Sequence, residues 1–491
     1  MNLSTLRNVQ RLARSGDTER AWRLFEASGL ASAADNADAL SLKGRLTKDR
    51  ALKAAGEERS ALFGQAQSAY LAAAALRPAT YPLINAATIA LLAGNREEAQ
   101  KTAALILAML DSGEHEPETE YWLKATRAEA CLLHGRIDDA RKALADAVRA
   151  APAAWEDHAS TLRQFRLILE TLGEPSEWLD TLRPPASLHF NGIIHLAPDH
   201  DEVVHAIEDA VAELAPGFGF GPLAAGSDII AAEAIVRGGG ELHVVLPASI
   251  DAFRRESVGI LGEDWIDRFD RLLETATTVE TLPDLDEVSE AGIKLANQVA
   301  MGLAIRQARM LETHAYALRI GVSETGQPAA RLLDEAWQAQ GFPIHRLDAE
   351  RVPPRSAPVP AFTSEAILVL PTSAAVEALV AAGGKVADRL GGQTAVSFAD
   401  PVIAARAAME VATVRDVPIG GDYVAFDPSA AGPERFDMAQ LVANAATPGR
   451  VLLSRTMALS LALRGPEFDC ESLGDIATAH GDVTLNVLIS C

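Results

Sequence analysis

Along the first 180 residues, apolar positions recur at spacings of three and four, as in Ala128, Cys131 and Leu132 and again in Ala140, Leu144 and Ala147. That period is the stripe of an amphipathic helix, so this part of the chain predicts helix after helix. From residue 186 the pattern changes. Short apolar runs at 188–195, 241–247, 316–322 and 344–347 alternate with helical stretches at 202–214, 229–236 and 329–340, and another helical stretch ends near Met310. Strand alternating with helix predicts a parallel α/β sheet. The glycine-rich stretch 217–228 reads as a loop leading into the helix at 229. Residues 351–361 hold four prolines and no apolar period, which predicts a linker. Beyond it, strands at 366–370, around Gly391 and Gly392, at 418–426, 450–454 and 483–489 alternate with helices to about residue 382, at 401–411 and near 436–446. That order predicts an α+β module with hairpins. The expected organisation is multidomain: an all-α part over 1–180, an α/β part over 186–350, the linker, and an α+β part over 362–491.

A repeat runs through the helical part. Ala66, Tyr70, Ala73 and Pro78 have the same offsets as Ala140, Leu144, Ala147 and Pro152. A glycine precedes the leading alanine by five residues in Gly16/Ala21, Gly94/Ala99 and Gly135/Ala140. The alanine marks a tight helix contact, the proline ends the second helix, and the glycine is expected to let two helices cross closely. This pattern resembles tetratricopeptide repeats. Residues 81–94 further resemble the TRAF-binding helical region of some eukaryotic stress kinases and bacterial signalling proteins. The resemblance implies stacked hairpins that bind a protein partner.

Composition narrows the functional classes. The 44 basic and 67 acidic residues leave a net charge of −23. A chain that coats nucleic acid needs a basic face to displace counterions, so that class is disfavoured, as is docking on anionic lipid. The amino-terminal stretch lacks the apolar region of a secretory signal, and no apolar run reaches membrane-spanning length. The longest candidate, 451–463, is broken by Arg455. A cytoplasmic protein is expected. Cys131, Cys470 and Cys491 are far apart and form no Cys-x-x-Cys pair, so neither a disulfide framework nor a cysteine zinc site is supported. His195, His200 and His205 are spaced by five, not the four of a helical metal pair, and no cofactor is identified.

The α/β part carries the candidate ligand chemistry. Open α/β sheets bind ligands at the carboxyl ends of their strands. Gly226 allows close backbone approach, and the N–H groups at the start of the helix at 229 suit an anion such as phosphate. Asp228 accepts hydrogen bonds either from a ribose or base or, with Ser227, only from the helix as an N-cap. Residues 221–234, followed by the strand at 241–247, resemble the SLOG superfamily of Rossmann-like domains. The matching positions are Asn191, Gly192, Gly226, Ser227, Asp228 and Glu233. They imply a site for a nucleotide-type small molecule, with Gly326 as the one glycine left in a second loop where the family has a doublet.

The last part follows a further pattern: Gly383 and Gly384, a hairpin, Phe398 three residues before Pro401, Pro448-Gly449 before Ser454, and a strand from Phe468 to a terminal Gly474. It resembles class III nucleotide cyclases. Two-metal phosphoryl chemistry needs carboxylates, and the family's two aspartate positions fall here on an aspartate-free strand at 367–373 and on Gly391-Gly392-Gln393. The family's transition-state asparagine and arginine positions are Asp437 and Leu441. The resemblance therefore implies a degenerate domain kept for packing, regulation or pairing into a homodimer. Together these readings give a cytoplasmic signalling or regulatory protein. The alternatives are an enzyme hydrolysing a nucleotide derivative in the central part, with Glu233 as base, or a scaffold without a ligand.

Overall fold

A computed structural model of the chain describes residues 3–14, 18–194, 196, 201–281, 287–321, 328–349, 363–371, 374–426, 428–429, 432–478 and 481–490. The chain divides into two compact units, Met1–Pro184 and Pro185–Cys491. The expected linker at 351–361 lies outside the described residues, as do Gly16, His195, His200 and Gly326.

The first unit is built of nine α-helices among the described residues: α1 (Leu3–Arg14), α2 (Thr18–Ala27), α3 (Ala37–Lys53), α4 (Gly56–Leu76), α5 (Thr80–Leu92), α6 (Arg96–Ser112), α7 (Glu120–Leu133), α8 (Ile137–Ala150) and α9 (Trp155–Leu172). Side-chain oxygens of Asn36, Asn95 and Thr119 accept from the first turns of α3, α6 and α7, so the starts are written locally. Ala66, Ala73, Ala99, Ala140 and Ala147 are fully buried where helices meet. The glycine expectation needs correcting. A Cβ added at Gly94 or Gly135 would meet nothing within 4 Å, so neither permits a close crossing. Both have φ near +85° and end a helix in the left-handed region, which glycine adopts at little cost. The close crossing is at Gly44 on α3, where a Cβ would lie 2.7 Å from the Tyr70 ring on α4.

The second unit begins with a six-stranded parallel sheet of β1 (Ser187–Asn191), β2 (Phe218–Gly221), β3 (Glu241–Leu246), β4 (Thr278–Thr281), β5 (Ala315–Ile320) and β6 (Ile344–Leu347). Their order is β4-β3-β2-β1-β5-β6. Its helices are α10 (Asp201–Leu214), α11 (Ser227–Arg237), α12 (Ile250–Phe253), α13 (Glu263–Thr275), α14 (Glu290–Met310) and α15 (Pro328–Ala339). The stretch read as a glycine loop opens with a strand. Phe218 and Phe220 are buried, and the intervening glycines exist for packing: a Cβ at Gly219 would strike Ile235, and one at Gly221 would strike the Phe190 carbonyl at 2.4 Å. β4 is a second strand that periodicity did not predict.

The remaining chain adds β7 (Thr363–Pro371), α16 (Ala374–Ala381), β8 (Lys385–Leu390), β9 (Gln393–Phe398), α17 (Pro401–Arg415), β10 (Ile419–Phe426), α18 (Asp437–Ala445), β11 (Val451–Leu453), α19 (Arg455–Arg464), β12 (Phe468–Thr478) and β13 (Gly481–Ser490). The strands form one sheet in the order β12-β13-β11-β10-β7-β9-β8. α14 lies under β1, β2 and β3 and packs along α19. At their crossing a Cβ on Gly302 would stand 2.2 Å from the Leu459 carbonyl oxygen, so only glycine allows this approach. Polar contacts flank it. Arg455 pairs with Glu280 at 2.6 Å, and the Gln340 amide donates to the Ala462 and Leu463 carbonyls at the end of α19. The two sheets thus share a packed seam within one unit.

Candidate functional site

Strand order locates the crevice. β1 leads to β2, β3 and β4 on one side, and the chain then crosses to β5 on the other. The switch point therefore lies between β1 and β5, where parallel sheets open a ligand crevice beyond their carboxyl ends. Asn191 ends β1 and pairs in register with Arg319 of β5.

Five of the seven expected residues come together here. Ser227 and Asp228, at the start of α11, reach back to the segment after β1. The Gly192 amide donates to Asp228 Oδ1 at 2.7 Å, and the Ala224 amide donates to Asp228 Oδ2 at 3.3 Å. The Ile193 amide donates to Ser227 Oγ at 2.7 Å, and Ser227 Oγ donates to the Ile193 carbonyl at 3.0 Å. A Cβ at Gly192 would lie 2.0 Å from Ser227 Oγ, which is why the position is glycine. Gly226, with φ of 118°, is the N-cap; the helix begins at Ser227, two residues earlier than its apolar period suggests. Neither Ser227 nor Asp228 is the N-cap, and the Ser227 amide donates to the Ile193 carbonyl. Both side chains fasten two loops together, and the amides of Gly192 and Ile193 point into the protein.

Burial sets the electrostatics. Asp228 is 2% exposed. Removal from water pushes its carboxyl up to about 7, against the two amides that favour the charged form. Asn191 differs from its neighbours: it is half-buried at the strand end, and its side-chain amide has no hydrogen-bond partner among the described residues.

Glu233 is not part of this cluster. Six residues of helix carry it about 9 Å along α11 from Ser227. There it holds Arg268 of α13 through two hydrogen bonds of 2.8 and 2.7 Å. Gly326 lies outside the described residues.

Polar residues on the α14 side of the sheet escaped the sequence reading. Arg319 Nε donates to Asp334 at 2.8 Å, and Arg319 Nη1 lies 2.7 Å from His189 Nδ1. His189 is fully buried; desolvation, and then the neighbouring guanidinium, hold its pKa well below the ordinary value, so the ring is neutral. The signal was present as one charged residue inside the apolar run Tyr316–Ile320 and one histidine inside β1, but periodicity has no term for a buried ion pair.

The helical unit has its own polar centre. Lys48 of α3 donates to Asn85 Oδ1 of α5 and to Gln164 Oε1 of α9, at 3.4 and 3.0 Å. Gln164 Nε2 and Thr88 Oγ1 donate to Glu129 of α7 at 2.9 and 2.6 Å. One amide on α9 therefore bridges a buried ammonium on α3 and a half-buried carboxylate on α7, and α5 adds a partner to each. Burial lowers the lysine and raises the glutamate.

No group of three or more His, Cys, Asp or Glu side chains among the described residues is placed to hold a metal ion. No helix among them is long and apolar enough to cross a membrane. Gln393, following the Gly391-Gly392 turn, hydrogen-bonds to Asn444 and Gln440 of α18.

Residues 5–92 match the sequence model of the Tetratricopeptide Repeats-Sensor family. No curated protein matches the chain. Solved structures similar to it include the adenylyl cyclase CyaB from P. aeruginosa, 12% identical, covering 27% of this chain and 96% of that one with a TM-score of 0.21. Another is an adenylate/guanylate cyclase/hydrolase from Silicibacter pomeroyi, 14% identical, covering 26% and 98%, with a TM-score of 0.23. A mutant O-GlcNAc transferase from Thermobaculum terrenum is 14% identical over 73% of this chain and 60% of that chain, with a TM-score of 0.19.

Proposed function

We propose that the chain is a regulatory protein whose helical repeats engage a protein partner and whose six-stranded sheet binds a nucleotide-type small molecule at the β1–β5 crevice. The carrying observation is Asn191. It offers an amide donor and acceptor, without a partner among the described residues, at the switch point of a parallel sheet. A side chain of that kind reads the edge of a base or the hydroxyls of a ribose. In this reading Ser227 and Asp228 shape the crevice by fastening its loops and do not touch the ligand. The helical repeats supply the other half, since stacked helical hairpins present extended binding surfaces. The seven-stranded sheet carries no cyclase chemistry, because the positions for the two aspartates and the transition-state arginine lack those residues; pairing two copies is its proposed role. The hydrolase reading loses its base, since Glu233 is committed to Arg268 well down α11.

The test is a melting-temperature screen of the full chain against nucleotides and nucleotide sugars, because a ligand that binds the folded state raises its stability. A stabilising ligand is expected to lose at least about tenfold in affinity with Asn191→Ala, roughly 1.4 kcal/mol, while the unliganded protein melts as before. Undiminished binding to Asn191→Ala, or a screen in which no nucleotide shifts the melt, refutes the crevice.

A further inference from the structure

A second site lies at the other edge of the same sheet. α11 leaves the carboxyl edge at Ser227 and runs back toward the start of β3, and its last turn packs near α13. Between the two helices is a cleft of about 410 Å³. Its lining includes Val236 and Leu272, with Glu233 and three arginines, Arg237, Arg268 and Arg271. With Glu208, which pairs with Arg237, three guanidinium groups face two carboxylates and leave a local charge of +1 in a chain whose net charge is −23.

The three arginines are held differently. Arg268 is fixed by Glu233 on one side and by the Trp265 ring, 4.2 Å from its guanidinium carbon, on the other. Arg237 is tied to Glu208 at 2.7 Å through a single nitrogen. Arg271 is exposed, and its side chain has no hydrogen-bond or ion-pair partner among the described residues. A guanidinium carries five N–H donors, so each retains some after these contacts. Arg268 and Arg271 are one turn apart on α13.

We propose that this cleft binds a phosphate-bearing small molecule, with Arg271 as its principal ligand, Arg237 and Arg268 completing the cradle, and the body of the molecule resting on Val236 and Leu272. Guanidinium forks match phosphate oxygens in charge and geometry. The volume falls within the usual range for small-molecule sites, roughly 300–1,000 Å³. The site is independent of the β1–β5 crevice, which lies at the opposite edge of the sheet.

The test is isothermal titration of the full chain with inorganic pyrophosphate, in buffer with EDTA and moderate salt. Wild type is expected to bind. Arg271→Gln should weaken that binding at least about tenfold and Arg271→Glu should abolish it, since each guanidinium–phosphate fork is among the strong charge-assisted contacts. Both variants should melt with wild type, because the side chain is exposed and unpaired. Asn191→Ala should leave pyrophosphate binding unchanged. The proposal is overturned if wild type gives no binding heat or if Arg271→Glu binds as well as wild type. It is also overturned if Asn191→Ala alone removes binding, or if only an acidic peptide, and not pyrophosphate, binds in an Arg271-dependent way.

Discussion

Asp228 sits in the first turn of α11 without being its N-cap. Its carboxyl accepts from the amides of Gly192 and Ala224 while buried, and its pKa rises from 3.8 to about 7. A raised folded-state value means that the folded protein holds a proton the unfolded chain releases near pH 4. The contribution of Asp228 to stability is therefore full below about pH 4 and is lost as pH rises to 7, by about 1.4 kcal/mol for each pH unit of the difference. Asp228→Asn, which stays neutral, should remove that dependence. The measurement is denaturant unfolding of both proteins between pH 4 and 7, and a constant gap between them would refute the assignment. The resemblance to Rossmann-like domains grouped Asn191, Gly192, Gly226, Ser227 and Asp228, and the fold brings those five to one end of the sheet. The sequence did not show the direction of each hydrogen bond, which depends on how β1 and β2 lie side by side. Glu233 was joined to them by the same resemblance, but its partner Arg268 lies 35 residues away.

At the scale of elements, long periodic segments were the most legible. The repeat offsets placed buried alanines correctly, while the hairpin glycines Gly94 and Gly135 were right in position and wrong in reason. Short elements failed for physical causes. β2 is four residues with two glycines, so its identity comes from the strands beside it. α19 was read only as part of an apolar run, because burial on most of its surface erases the helical stripe. The amide bridge in the helical unit had no local signal, since Lys48, Glu129 and Gln164 are distant in sequence. It carries a prediction. Gln164→Leu leaves the buried ammonium with Asn85 as its one remaining acceptor in the network and removes a donor from Glu129, and should cost about 1–3 kcal/mol. The fall should show in the denaturation midpoint of the helical unit. Recovery on adding Lys48→Met would identify the under-partnered cation as its cause, and an unchanged midpoint for Gln164→Leu alone would dismiss the bridge as ornamental.

For the whole molecule, the seam between α14 and α19 decides which parts can exist separately. Ala296, Val299, Ala300, Met301, Ala304 and Ile305 of α14 are all buried, and one flank of the helix is closed by α19. A fragment ending at residue 350 should therefore expose apolar surface and aggregate or bind a hydrophobic dye, whereas residues 185–491 should melt in one transition. A well-folded, monomeric 185–350 fragment would refute the shared seam. Gly302→Val in the full chain should have a milder form of the same effect, since the branched side chain meets the Leu459 carbonyl. The seam also bears on synthesis by the ribosome. α14 emerges long before its cover, because α19 begins 145 residues after Met310. At translation rates of roughly 5–20 residues per second, the nascent sheet waits on the order of ten seconds with an uncovered flank. For that interval it is a client for whatever shields apolar surface at the exit tunnel, and a slow codon placed between the two helices would lengthen the wait.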